Sequence, residues 1–149
     1  TTLLLNEKNF NLSERWVKPD LTMEFVNGDR AIEPSSGTTV KQIKLTRSNG
    51  FIDNEAPVPF TYKFGPGLIW TDDSSNYREG FHDIILNLNN PRATFEAGKN
   101  TTYFDLEIIS DSIAEGEEWI EIGLLSKSSS QQYFDDLPEE PLKLMISDI

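Results

Sequence analysis

The chain has no cysteine and a single histidine, His82, among its 149 residues. Without thiols there are no disulfides and no thiolate metal sites, although this says little about compartment. With one imidazole, a zinc, copper or nickel centre lacks its usual nitrogen and sulfur ligands. Basic residues are also few, 13 Lys and Arg against 25 Asp and Glu, for a formal net charge of −12. These cations are scattered singly, which argues against nucleic acid as a partner, because phosphate binding needs clustered Lys and Arg. An anionic membrane surface is disfavoured for the same reason. Long apolar runs are missing too: stretches such as Leu3 to Leu5 fall far short of the ~18 residues of a membrane span. No signal peptide is recognisable, and the chain runs from Thr1 to Ile149, where it stops at what reads as a strand end. The expectation is a mature fragment of a longer protein.

What is abundant is oxygen, in the form of carboxylates suited to calcium or magnesium. The stretch IISDSIAEGEEWIEI (108–122) places four acids, Asp111, Glu115, Glu117 and Glu118, within eight residues. Like charges at close range repel, so either water and salt dissipate the cost or a cation is expected there.

Alternation dominates the pattern and helical spacing is nearly absent. Leu21, Met23 and Phe25 alternate in one run, and Ile43 and Leu45 in the next, where the three-residue gap after Val40 predicts a bulge. Further runs carry Val58, Phe60, Tyr62 and Phe64; then Ile84, Leu86 and Leu88; then Phe104, Leu106 and Ile108. The last two carry Ile120, Ile122 and Leu124, and Leu142, Leu144 and Ile146. The predicted strands are 21–26, 38–47, 57–64, 83–95, 101–110, 119–125 and 141–147, seven in all. Turn residues separate them, among them Asn27-Gly28, Asn49-Gly50 and Gly65-Pro66-Gly67. Half-buried strands at fairly even spacing predict an all-β fold, a seven-stranded antiparallel immunoglobulin-like β-sandwich. A single domain of this length buries roughly 68–70% of the surface its unfolded chain exposes. Residues 1–20 show no strand pattern and are expected to be a linker or N-terminal extension, leaving 21–149 as the domain.

If successive strands reverse direction, the first, third and fifth connections and the far end of the last strand share one pole. The acids follow that parity. Glu33 lies in the first connection, Asp72 and Asp73 in the third, the 111–118 cluster in the fifth, and Asp148 at the end. Four separated segments thus bring carboxylates to one tip.

These residues resemble the Calx-beta family, the calcium-binding sandwich of sodium/calcium exchangers and of large extracellular adhesins. The segment ATFEAGKNTTYFDLEIISDSIAEGEEWIEIGL (93–124) is similar to the family's turn, strand, acidic segment and second strand. RAIEPSSGTTVKQIKLTRSNG (30–50) resembles its Glu-containing approach to the second strand, and PLKLMISDI (141–149) its closing strand. The resemblance implies calcium ligands at Glu33, Asp111, Glu115, Glu118 and Asp148. There are departures: Ser110-Asp111 stands where the family often has two aspartates, and Ser147-Asp148-Ile149 where it has an aspartate run. The Asp-Gly that usually follows the third strand is missing, and Asp72 and Asp73 sit in a longer insertion. A site with fewer anionic ligands follows. The spacing is not that of an EF-hand, since Ile113 stands where that loop wants a ligand.

Other features have plainer readings. TDDSSN around Asp72 and Asp73 also reads as a surface turn, and Asp135, Asp136, Glu139 and Glu140 read as a solvated loop at the opposite pole. His82 reads as an exposed strand residue, and Trp16, Trp70, Trp119, Tyr77 and Tyr103 as packing aromatics rather than a sugar-stacking face. Catalysis is a poor fit, because a glycosidase pair needs an apolar cleft and a defined separation, and no Ser-His-Asp set or phosphate-binding glycine loop is visible. The expected function is that of a noncatalytic calcium-binding module of a larger secreted or cell-surface protein. Its calcium would stiffen the domain and its junction with neighbouring domains of the same chain. The alternatives are a glycan- or protein-binding sandwich with a degenerate metal site, and a calcium sensor of a transporter.

Overall fold

A computed structural model describes residues 17–66, 68–72, 75–78, 82–86, 91–110 and 118–147. The described elements are β1 (Asp20–Phe25), β2 (Arg30–Ile32), β3 (Thr38–Ser48), β4 (Ala56–Phe64), β5 (Trp70–Thr71) and β6 (Ile84–Ile85). They continue with β7 (Arg92–Phe95), β8 (Thr101–Ile109), β9 (Glu118–Leu124), the four-residue helix α1 (Lys127–Ser130) and β10 (Leu142–Ser147). The strands form two five-stranded sheets, in the orders β1-β3-β8-β6-β5 and β2-β10-β9-β4-β7.

Period-two alternation places the core between them. Ile43 and Leu45 on β3 and Leu106 and Ile108 on β8 are buried, as are Val58 and Phe60 on β4, Ile120 and Ile122 on β9, and Leu144 and Ile146 on β10. The Phe60 and Phe104 rings, one from each sheet, meet at 4.8 Å between centroids and 58° between planes, a tilted geometry favoured by aromatic quadrupoles. Where the chain leaves β1 in one sheet for β2 in the other, Asn27 and Gly28 both have positive φ, 65° and 88°, a conformation that Gly and Asn adopt at little cost.

The all-β expectation is met, but the strand count and the purely antiparallel pattern are not. Ten strands are described instead of seven, and two pairings, β2 with β10 and β5 with β6, are parallel. Both extra strands have two or three residues, too short for alternation to register in the sequence. The expected strand 83–95 is divided: β6 lies in the first sheet and β7 in the second, so the chain changes sheet between them. The bulge predicted near Val40 is absent too. β3 pairs with β8 without a slip from Thr38↔Ile109 to Thr46↔Thr101. Lys41 simply takes an inward position, 8% exposed, with Nζ donating to the Asn27 carbonyl at 3.3 Å.

Pairing registers define the two poles. Thr38↔Ile109, Ile84↔Ile108, Glu118↔Ile146 and Ile32↔Ser147 all fall at one end. At the other, the buried Arg47 ties two loops together. Its Nε donates to Lys99 O at 2.7 Å, and its Nη2 to Ile52 O at 2.7 Å and Glu96 O at 3.0 Å, while the guanidinium lies 5.0 Å from the Phe95 ring centroid.

Arg47→Ala removes the only side chain bonded to those three carbonyls among the described residues. Hydrogen bonds to a charged group contribute ~1.5–3 kcal/mol each, partly offset here by no longer burying a charge and by the main-chain donors Gly98 N and Lys99 N that Ile52 O and Glu96 O keep, so we expect a loss of roughly 2–4 kcal/mol in urea unfolding. A loss under ~0.5 kcal/mol would contradict the clamp role. Tyr62 presents the opposite case: its hydroxyl is buried without a hydrogen-bond partner among the described residues, and that burial pushes its pKa up. Above about pH 10 the unfolded chain loses this proton while the folded chain keeps it, so stability falls as pH rises. Tyr62→Phe should leave neutral-pH stability unchanged or raise it by up to about 1 kcal/mol, and should reduce the alkaline loss. Destabilisation at pH 7 in the same unfolding experiment would show that the hydroxyl has a partner.

Candidate metal centre

Three acids converge at the first pole. Glu33 follows β2, Asp83 immediately precedes β6, and Glu118 is the first residue of β9. They are 2%, 1% and 4% exposed, and each offers a carboxylate oxygen such that these atoms all lie within 4.8 Å of one another. Backbone pairing fixes each position. Glu33 N donates to Ser147 O at 3.0 Å, continuing the parallel β2–β10 ladder. Glu118 pairs with Ile146 on β10. Asp83 is held from two sides, its N donating to Ile69 O at 2.7 Å and its O accepting from Ile109 N at 2.9 Å. Its side chain is oriented as well, with Oδ2 accepting from Ile69 N at 2.7 Å.

Burying three carboxylates together is costly. Two unit charges 4 Å apart repel by about 4 kcal/mol at an effective dielectric constant of 20, far more than in water. Folding tolerates the arrangement because it is built from the non-local registers of four strands, whose apolar burial outweighs a local penalty. The donor set is all oxygen. Ligands at about 2.3–2.6 Å from a calcium ion are at most about 4.6–5.2 Å apart, and the three carboxylate oxygens lie within 4.8 Å of one another. The three residues therefore fit a hard divalent cation, and calcium's tolerance of irregular geometry suits ligands from three unrelated segments.

Among the residues expected from the sequence, Glu33 and Glu118 lie in this cluster. Asp72 is exposed just after β5 and is not part of it. Asp73, Asp111, Glu115 and Asp148 lie outside the described residues. Asp83 was not anticipated. It occupies the first position of the predicted strand 83–95, where an acid directly before Ile84 and at the same pole by parity was the available signal. His82 is likewise not a strand residue: it is half-buried, its Nδ1 accepts from Arg78 N at 2.9 Å, and its N donates to Arg78 O at 2.9 Å.

Trp119, next to Glu118 in the chain, points to the opposite, outer face of β9. Gly65 N donates to Trp119 O at 2.9 Å, and a Cβ on Gly65 would lie 2.5 Å from the Trp119 indole nitrogen. Lys143 Nζ sits 4.6 Å from that ring's centroid, a cation–π distance. The Phe64 and Trp70 rings stack at 6.4 Å and 15°. Trp119 and Tyr103 belong to different sheets, and Trp16 lies outside the described residues. Far from the acids, where β9 leads into α1, an open cavity of about 510 Å³ is lined by Tyr62, Leu124, Lys127, Pro138 and Pro141, among others.

No family model and no curated protein matches the sequence. Among solved structures the chain is similar to CBD12 from CALX1.2, with a TM-score of 0.57 and 20% identity, over 85% of this chain and 44% of that one. It is similar to calcium binding domain CBD12 of CALX1.1, with a TM-score of 0.52 and 18% identity over 85% and 44% of the two chains. The apo-form Calx CBD1 domain gives 0.50 and 18%, over 87% of this chain and 98% of that domain. The chain thus spans less than half of the CBD12 chains and the length of one single domain. At these identities the likeness is one of fold, and the fold is Calx-beta-like.

Gly65→Ala tests how tightly the outer face of β9 beside Trp119 is packed. Because the methyl group meets a packed indole, we expect a loss of roughly 1–3 kcal/mol in denaturant unfolding and a changed near-ultraviolet circular dichroism signal from Trp119. Unaltered stability and spectrum would mean that the indole moves freely.

Proposed function

We propose that the chain is a noncatalytic calcium-binding module, with Glu33, Asp83 and Glu118 as ligands and Asp111, Glu115 and Asp148 completing the shell from the adjoining segments. The observation that carries this reading is the burial of three carboxylates from three separate segments within one coordination radius. The Calx-beta-like fold supports it independently. Calcium would supply the positive charge that turns mutual repulsion into a binding and folding term. The residues themselves need only hold their oxygens in place, which the strand pairings do. In the larger setting, we read the module as part of a secreted or cell-surface protein, where the ion stiffens the domain and its junction to the next. Asp72 and Asp73 remain candidates for an outer ligand position only.

The test is calorimetry with calcium, paired with thermal melts in chelator and in excess calcium. At a hundredfold excess over Kd the ion adds about 2.7 kcal/mol, a rise in Tm of roughly 5–11 °C for a domain of this size. Glu33→Gln and Asp83→Asn should each diminish both the binding heat and the Tm gain. A melt indifferent to calcium in the parent chain would reject the proposal.

A second reading has one observation in its favour. The cavity beside Tyr62 and Leu124 has a volume of about 510 Å³, within the ~300–1,000 Å³ usual for small-ligand sites. A glycan- or peptide-binding module would use it, and binding that persists in chelator would favour that reading over the first.

A further inference from the structure

Strand β5 is the edge of the first sheet and has only two residues, Trp70 and Thr71. An edge strand this short belongs to the low-stability end of a fold, where local opening costs little. Trp70↔Ile84 and Thr71↔Ile85 pair in parallel, and Leu86 N donates to Thr71 O at 2.8 Å. The preceding residue, Ile69, is joined by two further bonds, and both go to Asp83: Ile69 N to Asp83 Oδ2, and Asp83 N to Ile69 O, each 2.7 Å. Asp83 in turn is anchored to β8 through Ile109 N, so it is the firm side of the joint.

The same carboxylate therefore serves two structures, the acid cluster and the edge strand. We propose that Asp83 is a positioning residue that latches β5 in response to cation occupancy. The inference rests on the calcium reading above and names what that site controls. With a cation among Glu33, Asp83 and Glu118, the Asp83 carboxylate is attracted to a fixed point and its Oδ2 stays aligned with the Ile69 amide. Without one, repulsion from the two glutamates drives the carboxylate out of alignment and loosens the side-chain bond that Asp83 makes to Ile69. Ile69 and Trp70 are 36% and 38% exposed, and Trp70 stacks on Phe64. The latch thus decides whether an apolar pair at the sheet edge is held as an ordered strand. Coupling of this kind is a free energy shared by the two events, and for typical sites it changes either equilibrium by about 5–150-fold.

The experiment is amide-resolved hydrogen exchange on the whole chain, from chelator to saturating calcium, with calorimetry on the same samples. Exchange at the Ile69 amide should slow by about 5–150-fold, with a midpoint at the calorimetric Kd. The Gly98 amide, bonded to Ile52 O at the opposite pole, should not change. Glu33→Gln removes a cluster charge without touching Ile69; it should shift the calorimetric Kd and the Ile69 midpoint together. Binding heat with an Ile69 amide as indifferent as that of Gly98 would overturn the latch and leave the calcium site standing. Absence of binding heat would overturn both.

Discussion

The structure turns on a repulsion. Glu33, Asp83 and Glu118 are buried side by side at one tip of a sandwich whose other parts obey ordinary burial rules. Each arrives on a different segment, and each is fixed by main-chain pairing that the side chain cannot renegotiate. Glu33 is carried by a parallel ladder on β10, Glu118 by an antiparallel one, and Asp83 by bonds to Ile69 and Ile109. Strand registers impose the proximity, and the electrostatic cost is met locally. Under the proposed function that division of labour would make the tip responsive to ions, because a cation changes the local term without altering the registers.

The opposite pole solves the reverse problem by a different route. There a single buried cation, Arg47, is surrounded by main-chain carbonyls and an aromatic face. Carbonyl dipoles accept charge-assisted hydrogen bonds from the guanidinium, so the loops around Ile52, Glu96 and Lys99 are joined within the protein itself. One end of the sandwich is closed by its own residues and the other gathers like charge. In the proposed function this asymmetry has a purpose: the acid-bearing end is the one that changes stiffness with calcium. In that proposal the Ile69–Asp83 bonds link the acid-bearing end to the neighbouring segment.

The acid tip was legible because parity is a robust consequence of strands that reverse direction. Glu33 and Glu118 could be assigned to one end from their positions between alternating runs. Asp83 was not, since a predicted strand absorbed it: period-two reasoning starts at the first apolar residue, Ile84, and treats a flanking acid as a turn residue. The bulge expected at Val40 failed for a related reason. Apolar spacing was taken to mark the inward face, whereas the inward position at Lys41 is filled by a lysine whose stem lies along the core and whose ammonium reaches Asn27 O. The short parallel strands β2 and β5 left no mark, because two or three residues carry no measurable period.

Composition and alternation alone determined the class of the fold, the absence of sulfur ligands, the surplus of hard oxygen donors and the end of the molecule at which they collect. These are local or additive properties: a side chain's face follows from its neighbours two residues away, and a charge balance from a count. Tertiary structure alone decided which acids meet, that Asp83 is among them, and that the strand after the insertion divides between two sheets. Those outcomes depend on registers between segments up to about a hundred residues apart, from Ala31 against Ile146 to Ile84 against Ile108. A register is set by the packing of both partners at once and is written in neither of them separately.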